Sequence, residues 1–158
     1  KEYSMERSIL KSALITVFGG LMMSQVGTAL ADNQSGGLTT GLAAAVDFYQ
    51  VTCFDDGNGA PSYLEAQVKD ITANTPKASV LIYKGTSCTT NKCAQSSTDT
   101  TDNNTTYSPL VKVTQGAGTY SLFVMHTTTG TDSYDVIFHC KTAGNVHTGT
   151  SITSRQQQ

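Results

Sequence analysis

Four cysteines carry the most readable chemistry in this chain of 158 residues: Cys53, Cys88, Cys93 and Cys140. Cys88 and Cys93 bracket Thr-Thr-Asn-Lys, a loop that one bridge closes, which leaves Cys53 to meet Cys140. The other two pairings that four cysteines allow would tie Cys88 or Cys93 to a distant partner. The long bridge would enclose a loop of about 90 residues and, on chain-entropy grounds, add roughly 4 kcal/mol. Zinc would need a second close pair of ligands, and neither Cys53 nor Cys140 has a cysteine neighbour at the usual two-to-four-residue spacing. Two disulfides are therefore expected, Cys53–Cys140 and Cys88–Cys93.

Carboxylates come next. Asp55, Asp56 and Asn58 form an oxygen-rich turn, with Glu65 and Asp70 nearby in sequence. Hard oxygens of this kind are what calcium takes. An EF-hand loop it is not, because the twelfth position counted from Asp56 is Gln67 and supplies no bidentate carboxylate. Asp, Gly and Asn together also serve a chain reversal on their own. Calcium at Asp55, Asp56, Asn58 and Asp70 is the one cofactor the sequence suggests. A second group, Asp99, Asp102, Asn103 and Asn104, carries a weaker signal of the same type.

His126, His139 and His147 are the remaining candidates for acid–base or metal chemistry. Their spacing matches no ligand pattern, and the chain holds no Gly-x-Ser-x-Gly elbow. They read as strand-end or surface histidines. No catalytic residue is assigned, and an enzyme is not expected.

The composition frames these residues. Only 14% of the chain is charged and Trp is absent, against about 25% charged residues in ordinary globular proteins. Thr, Ser, Asn and Gln cover the difference, which favours strands over helices. A net charge of −2 and a pI near 5.8 give no basic field to neutralise phosphates, so nucleic acid is not expected as a partner.

Residues 1–31 read as an export signal. Arg7 and Lys11 precede an apolar run over 13–23 and the triplet Ala29-Leu30-Ala31, the order of a secretory signal cleaved before Asp32. Met5 is a natural initiator, so residues 1–4 look like translated upstream sequence. The apolar run is shorter than the roughly 18–20 residues of a spanning helix, so membrane contact is expected only through an uncleaved signal. Secretion, to the periplasm or beyond, in turn favours disulfides for an even number of thiols.

From 46 onward, short alternating runs follow one another. In 46–54, Tyr49, Val51 and Cys53 share one face, and Phe48, Gln50 and Thr52 the other. In 63–69, Leu64, Ala66 and Val68 oppose Glu65, Gln67 and Lys69. Residues 78–84 are apolar enough to be covered on both sides. Further strands are expected over 109–114, over 119–126 and over 133–140, where Tyr134, Val136, Phe138 and Cys140 share a face. Such alternation marks half-buried antiparallel strands. The stretch from 85 to 107 reads as a long loop, 141–158 as a loosely held polar tail in which Ser151-Ile152-Thr153 adds at most an edge strand, and 32–45 as a Gly/Ala/Thr-rich lead-in or a weakly specified strand. The domain is thus expected over 46–140, as a small all-β antiparallel sandwich of six to eight strands, jelly-roll or Greek-key-like, behind a signal-peptide helix.

The order of features from 48 to 140 resembles the bacterial pre-peptidase C-terminal type of β-sandwich, a small domain of secreted enzymes and surface proteins. The resemblance rests on Asp47-Phe48-Tyr49-Gln50-Val51, on Ala78-Ser79-Val80-Leu81-Ile82-Tyr83-Lys84-Gly85, and on Gly116-Ala117-Gly118-Thr119-Tyr120-Ser121-Leu122-Phe123-Val124 followed by Asp132-Ser133-Tyr134-Asp135-Val136. Where the family's central strand opens with acidic residues, this chain has Ala78-Ser79-Val80, so no calcium or ligand role is carried over to that strand. The cysteine bridges do not follow from the resemblance.

Assembly is the remaining expectation. Residues 38–46 carry no charge, and Leu38, Leu42 and Val46 punctuate them. Such a segment can leave its own domain and complete a neighbour's sheet. Repeated head to tail, that contact does not close and makes fibres. The expected function is a non-enzymatic binding or structural module at or outside the cell surface, whose partners are a surface polymer or other copies of itself. The alternatives are a filament or matrix subunit built by strand exchange, and a small secreted hydrolase.

Overall fold

A computed structural model describes residues 32–85, 93–101 and 105–158. The signal segment 1–31, Cys88 and the group Asp102 to Asn104 lie outside the described residues. Nine strands form among those described: β1 (Asp32–Leu38), β2 (Val46–Phe54), β3 (Tyr63–Asp70), β4 (Ala78–Tyr83), β5 (Ala94–Thr98), β6 (Val111–Val113), β7 (Gly118–His126), β8 (Asp132–Lys141) and β9 (Gly149–Gln156). Alternation explains most of them. β2, β7 and β8 bury every second residue along nearly their whole length, the mark of a strand with one face on a core.

The strands form two antiparallel sheets, ordered β1-β8-β3-β6 and β5-β4-β7-β2-β9. β1 pairs with β8, β2 with β7, β3 with β6 and β4 with β5. Strands thus pair from the ends inward, as in one long hairpin rolled over on itself, and β9 is added beside β2.

A single core fills the space between the sheets. Its largest fully buried side chains are Tyr49, Tyr120, Tyr134 and Phe138, packed with Leu and Val from both sheets. Each fully buried Val, Leu or Phe contributes about 1.5–3 kcal/mol relative to exposure. Cys53 of β2 and Cys140 of β8 form a disulfide with Cα atoms 5.4 Å apart, so a covalent link joins the two sheets across 87 residues of sequence.

Three strands lie outside the expected set or its domain bounds. Ala94-Gln95-Ser96-Ser97-Thr98, inside the stretch read as a loop, pairs with Ser79–Tyr83 as the edge strand β5. It has no apolar alternation because its contribution is backbone pairing. At the front, β1 turns Asp32, Gln34 and Gly36 to the inner side and anchors only Leu38 in the core. The tail read as loosely held is β9, which packs only Ile152 against the core. Its end is nevertheless tied down: Gln156 Nε2 donates to Val46 O at 2.9 Å, Val46 N to Gln158 Oε1 at 2.9 Å, and Thr39 N to Gln158 O at 2.7 Å. β4 also differs, since Ser79 and Leu81 face outward and half-buried while Val80 and Ile82 are buried.

Candidate functional site

The turn after β2 uses its own oxygens. Asp55 Oδ1 accepts from Gly57 N at 2.8 Å and Gly59 N at 3.0 Å, and Asp56 Oδ1 accepts from Asn58 N at 3.1 Å. Gly57 and Gly59 take φ of 102° and 110°, a region where side chains are rarely tolerated. Thr148 Oγ1 closes the turn onto the start of β9, donating to Gly59 O at 2.7 Å. Asp70 does not join this group. It ends β3 opposite Tyr134, whereas the turn lies by Cys53, which is bonded to Cys140 opposite Leu64 near the start of β3.

Asp70 instead meets Asp99 and Asp132, all three buried at the other end of the sandwich. Backbone amides hold each carboxylate. Asp70 accepts from Thr72 N at 3.0 Å and Ala78 N at 3.2 Å, and Asp99 Oδ2 accepts from Asp70 N at 2.9 Å. Asp132 Oδ1 accepts from Ser133 N at 2.8 Å, but its Oδ2 is buried with no hydrogen-bond partner. Burial, reinforced by the facing Asp70 carboxyl, pushes the Asp132 carboxyl up to about 7. Neither residue announced itself as a pair in the sequence, although Asp132 stands two residues before Tyr134 on the inward face.

A second buried polar group crosses the core. Asp47, in phase with Tyr49, Val51 and Cys53, points inward. Its Oδ2 accepts from the Tyr134 hydroxyl at 2.6 Å and its Oδ1 from Gln158 N at 2.8 Å. The Tyr49 hydroxyl lies 2.7 Å from that of Tyr134 and must donate to it, since the Tyr134 proton is committed to Asp47. Burial drives the Tyr134 hydroxyl far above its ordinary range, with Asp47 and Tyr49 adding to the effect. Gly36 makes room, because a Cβ there would overlap the Tyr134 hydroxyl.

The three histidines are not brought together. His126 Nε2 donates to Leu42 O at 2.5 Å and pins the connection between β1 and β2 to the end of β7. His139 and His147 meet edge to face with ring centroids 4.5 Å apart. Burial, then the neighbouring His147, lowers the His139 imidazole to about 4. Nearby, Lys141 Nζ pairs with Glu65 Oε1 at 2.6 Å. Among the described residues, no three His, Cys, Asp or Glu side chains converge to hold a metal.

The candidate assembly residues separate by role. Leu38 is core, Leu42 is 63% exposed, and Val46 opens β2 on its half-buried outer side. Beside Val46, the outer face of the five-stranded sheet is more apolar than the remaining surface suggests. Leu81, Phe123 and Phe48 occupy one row of the register across β4, β7 and β2, and the two Phe rings stack at 4.8 Å. Met125 lies in the next row, between Ser79 and Val46.

The Cys53–Cys140 bridge indicates an oxidising environment outside the cytoplasm. Among the described residues no cysteine is free, and no helix is long and apolar enough to cross a membrane. Compared with known proteins, the chain matches no family model, no curated protein and no solved structure.

Proposed function

We propose that this chain is an exported, non-enzymatic β-sandwich of jelly-roll connectivity that works at or outside the cell surface as a binding or structural module. The apolar row on the outer face of the five-stranded sheet carries this reading. Phe48, Phe123, Leu81, Met125 and Val46 make a half-buried apolar stripe bordered by Thr, Ser and Gln. Such a stripe suits contact with another extended surface. Export is supported by the Arg7-to-Ala31 signal order and by the sheet-bridging cystine. A non-enzymatic role is supported by where the acidic groups are engaged: Asp55 and Asp56 cap their own turn, and Asp47 is tied to Tyr134 and Gln158. The resemblance to pre-peptidase C-terminal domains belongs to the same proposal, since its segments contribute to β2, β4, β7 and β8. A Cys88–Cys93 bridge, closing the loop before β5, belongs to it as well.

The test is retention on cell-surface material. The chain from Asp32 to Gln158 is expected to bind it or to self-associate, and Phe48→Ser with Phe123→Ser to do neither while keeping its melting temperature within a few degrees. Equal retention of the double variant would remove this reading.

A filament built by strand exchange is the second reading, and β1 favours it. This edge strand has a single core anchor, Leu38, and is followed by a connection in which Gly41 takes φ 69°. Straightening that connection would let β1 pair with β8 of another copy in the register it uses at home. Deleting 32–38 is expected to leave a monomer that takes up a synthetic 32–38 peptide, whereas the intact chain forms fibres by negative stain. An intact chain that stays monomeric at every concentration sinks the idea.

A further inference from the structure

We propose that the edge of β8 that carries β1 is an acceptor for the 32–38 segment of a second copy of this chain, and that it selects the segment by the glycine at position 36. The inference rests on the strand-exchange reading above and names its specificity. Gly36 stands opposite Tyr134 in the β1–β8 register. A Cβ at 36 would lie 2.5 Å from Tyr134 Cζ and closer still to the hydroxyl oxygen. The φ of Gly36 is outside the left-handed region, so the backbone does not demand glycine there; the space does. The ring is held in place. It is fully buried, its hydroxyl donates to Asp47 Oδ2 at 2.6 Å, and it accepts from the Tyr49 hydroxyl at 2.7 Å. Tilting it would strip a buried carboxylate of its donor. Gly37 differs, because a Cβ there would meet Asp132 O at 3.4 Å, an ordinary contact.

The same glycine pins the register. Only slips by an even number of residues keep the strand's faces. A slip of two would set Leu38 opposite Tyr134, and a slip of four, which seats Leu42 in the place of Leu38, would set Thr40 there. Slips the other way bring Gln34 or Asp32. Each of these side chains meets the hydroxyl. The acceptor therefore reads an extended strand with glycine opposite Tyr134 and Leu two residues on, in the core opposite Asp132. A second copy carries that strand by identity. The Leu38 anchor and the bond from Ser35 Oγ to Asp135 Oδ1 at 2.5 Å are remade when an identical strand arrives from another molecule. What must open is the connection after β1, where Thr39 N donates to Gln158 O at 2.7 Å, Gly130 N to Gly41 O at 3.1 Å and His126 Nε2 to Leu42 O. None of these bonds lies within the donor strand.

The test uses two opened forms of the Asp32–Gln158 chain. Gly36→Ala unseats its own strand at Tyr134, and Leu38→Ser unseats it at the anchor without touching Tyr134. Fluorescent 32–38 peptides of wild-type sequence, with Gly36→Ala and with Gly37→Ala, are titrated onto both by anisotropy. Both chains are expected to bind the wild-type and Gly37→Ala peptides with Kd values within about threefold of each other. The Gly36→Ala peptide should bind at least about tenfold more weakly, the penalty of overpacking a filled core. Bound wild-type peptide should slow amide exchange over 133–138 in β8. The proposal is overturned by a Gly36→Ala peptide that binds as tightly as wild type, which would mean that Tyr134 gives way, or by failure of both opened chains to take the wild-type peptide. Wild-type chains that form no fibres, while the opened chains still discriminate the Gly36→Ala peptide from the Gly37→Ala peptide, would remove the filament and leave the acceptor standing.

Discussion

The Tyr134 hydroxyl donates to Asp47 Oδ2 at 2.6 Å, joining β8 of one sheet to β2 of the other inside the core. A carboxylate at this depth is tolerable only while its oxygens are served. Tyr134→Phe leaves Oδ2 without its donor and should cost about 1–3 kcal/mol in urea unfolding. Tyr49→Phe removes only the outer member of the chain, whose loss leaves Asp47 with both partners, and should cost less. Equal losses would mean that the bond to the Asp47 carboxylate contributes no more than the bond between the two hydroxyls.

Gly36 and Tyr134 are opposite each other in the β1–β8 register, and the ring lies where a Cβ at 36 would stand. Gly36→Ala must therefore displace either β1 or the ring. Because β1 has only Leu38 in the core, the strand is the cheaper element to move. Amide hydrogen exchange should accelerate at least tenfold over 33–38 and stay unchanged in β7. Unchanged protection over 33–38 would mean that Tyr134 gives way instead.

The inward faces of β2, β3, β7 and β8 were legible because Val, Leu, Tyr and Cys recur at every second position. The same phase placed Cys53 and Cys140 on buried faces and anticipated their bridge. β1, β5 and most of β9 were not legible. They are edge strands held by backbone pairing, and polar side chains there carry no periodic signal. The buried carboxylates were half legible: Asp47 is two residues from Tyr49 and Asp132 two from Tyr134, so alternation aims both inward. Their partners could not be read, because Gln158 and Asp70, which meet Asp47 and Asp132, come from segments whose placement depends on tertiary pairing.

The cystine is expected to hold the sheets together chiefly through the unfolded chain. Closing a loop of about 88 residues corresponds to roughly 4–5 kcal/mol by loop-closure entropy. Replacing both Cys53 and Cys140 by Ser should lower the urea midpoint accordingly, with the m-value rising as the unfolded chain expands. A loss under about 1 kcal/mol would show that the unfolded state is compact without the bridge.

His139 and Asp132 pull the pH dependence of stability in opposite directions. The folded state holds His139 near 4 while the unfolded imidazole titrates near 6.5. Between those values the unfolded chain takes a proton that the folded one refuses, so stability falls as pH drops from 6.5 to 4. Asp132 is the reverse: its carboxyl titrates near 7 when folded and near 3.8 when unfolded. The folded state keeps a proton that the unfolded chain has released, so stability falls as pH rises from about 4 to 7. Each contribution has a limiting slope of about 1.4 kcal/mol per pH unit, and over their shared window they offset. In EDTA the wild type should therefore show a shallow profile between pH 4 and 6.5. His139→Gln should unmask a decline towards pH 7, and Asp132→Asn a decline towards pH 4. Urea unfolding across this range checks both, and profiles parallel to wild type in the two variants would show that neither group sets the slope.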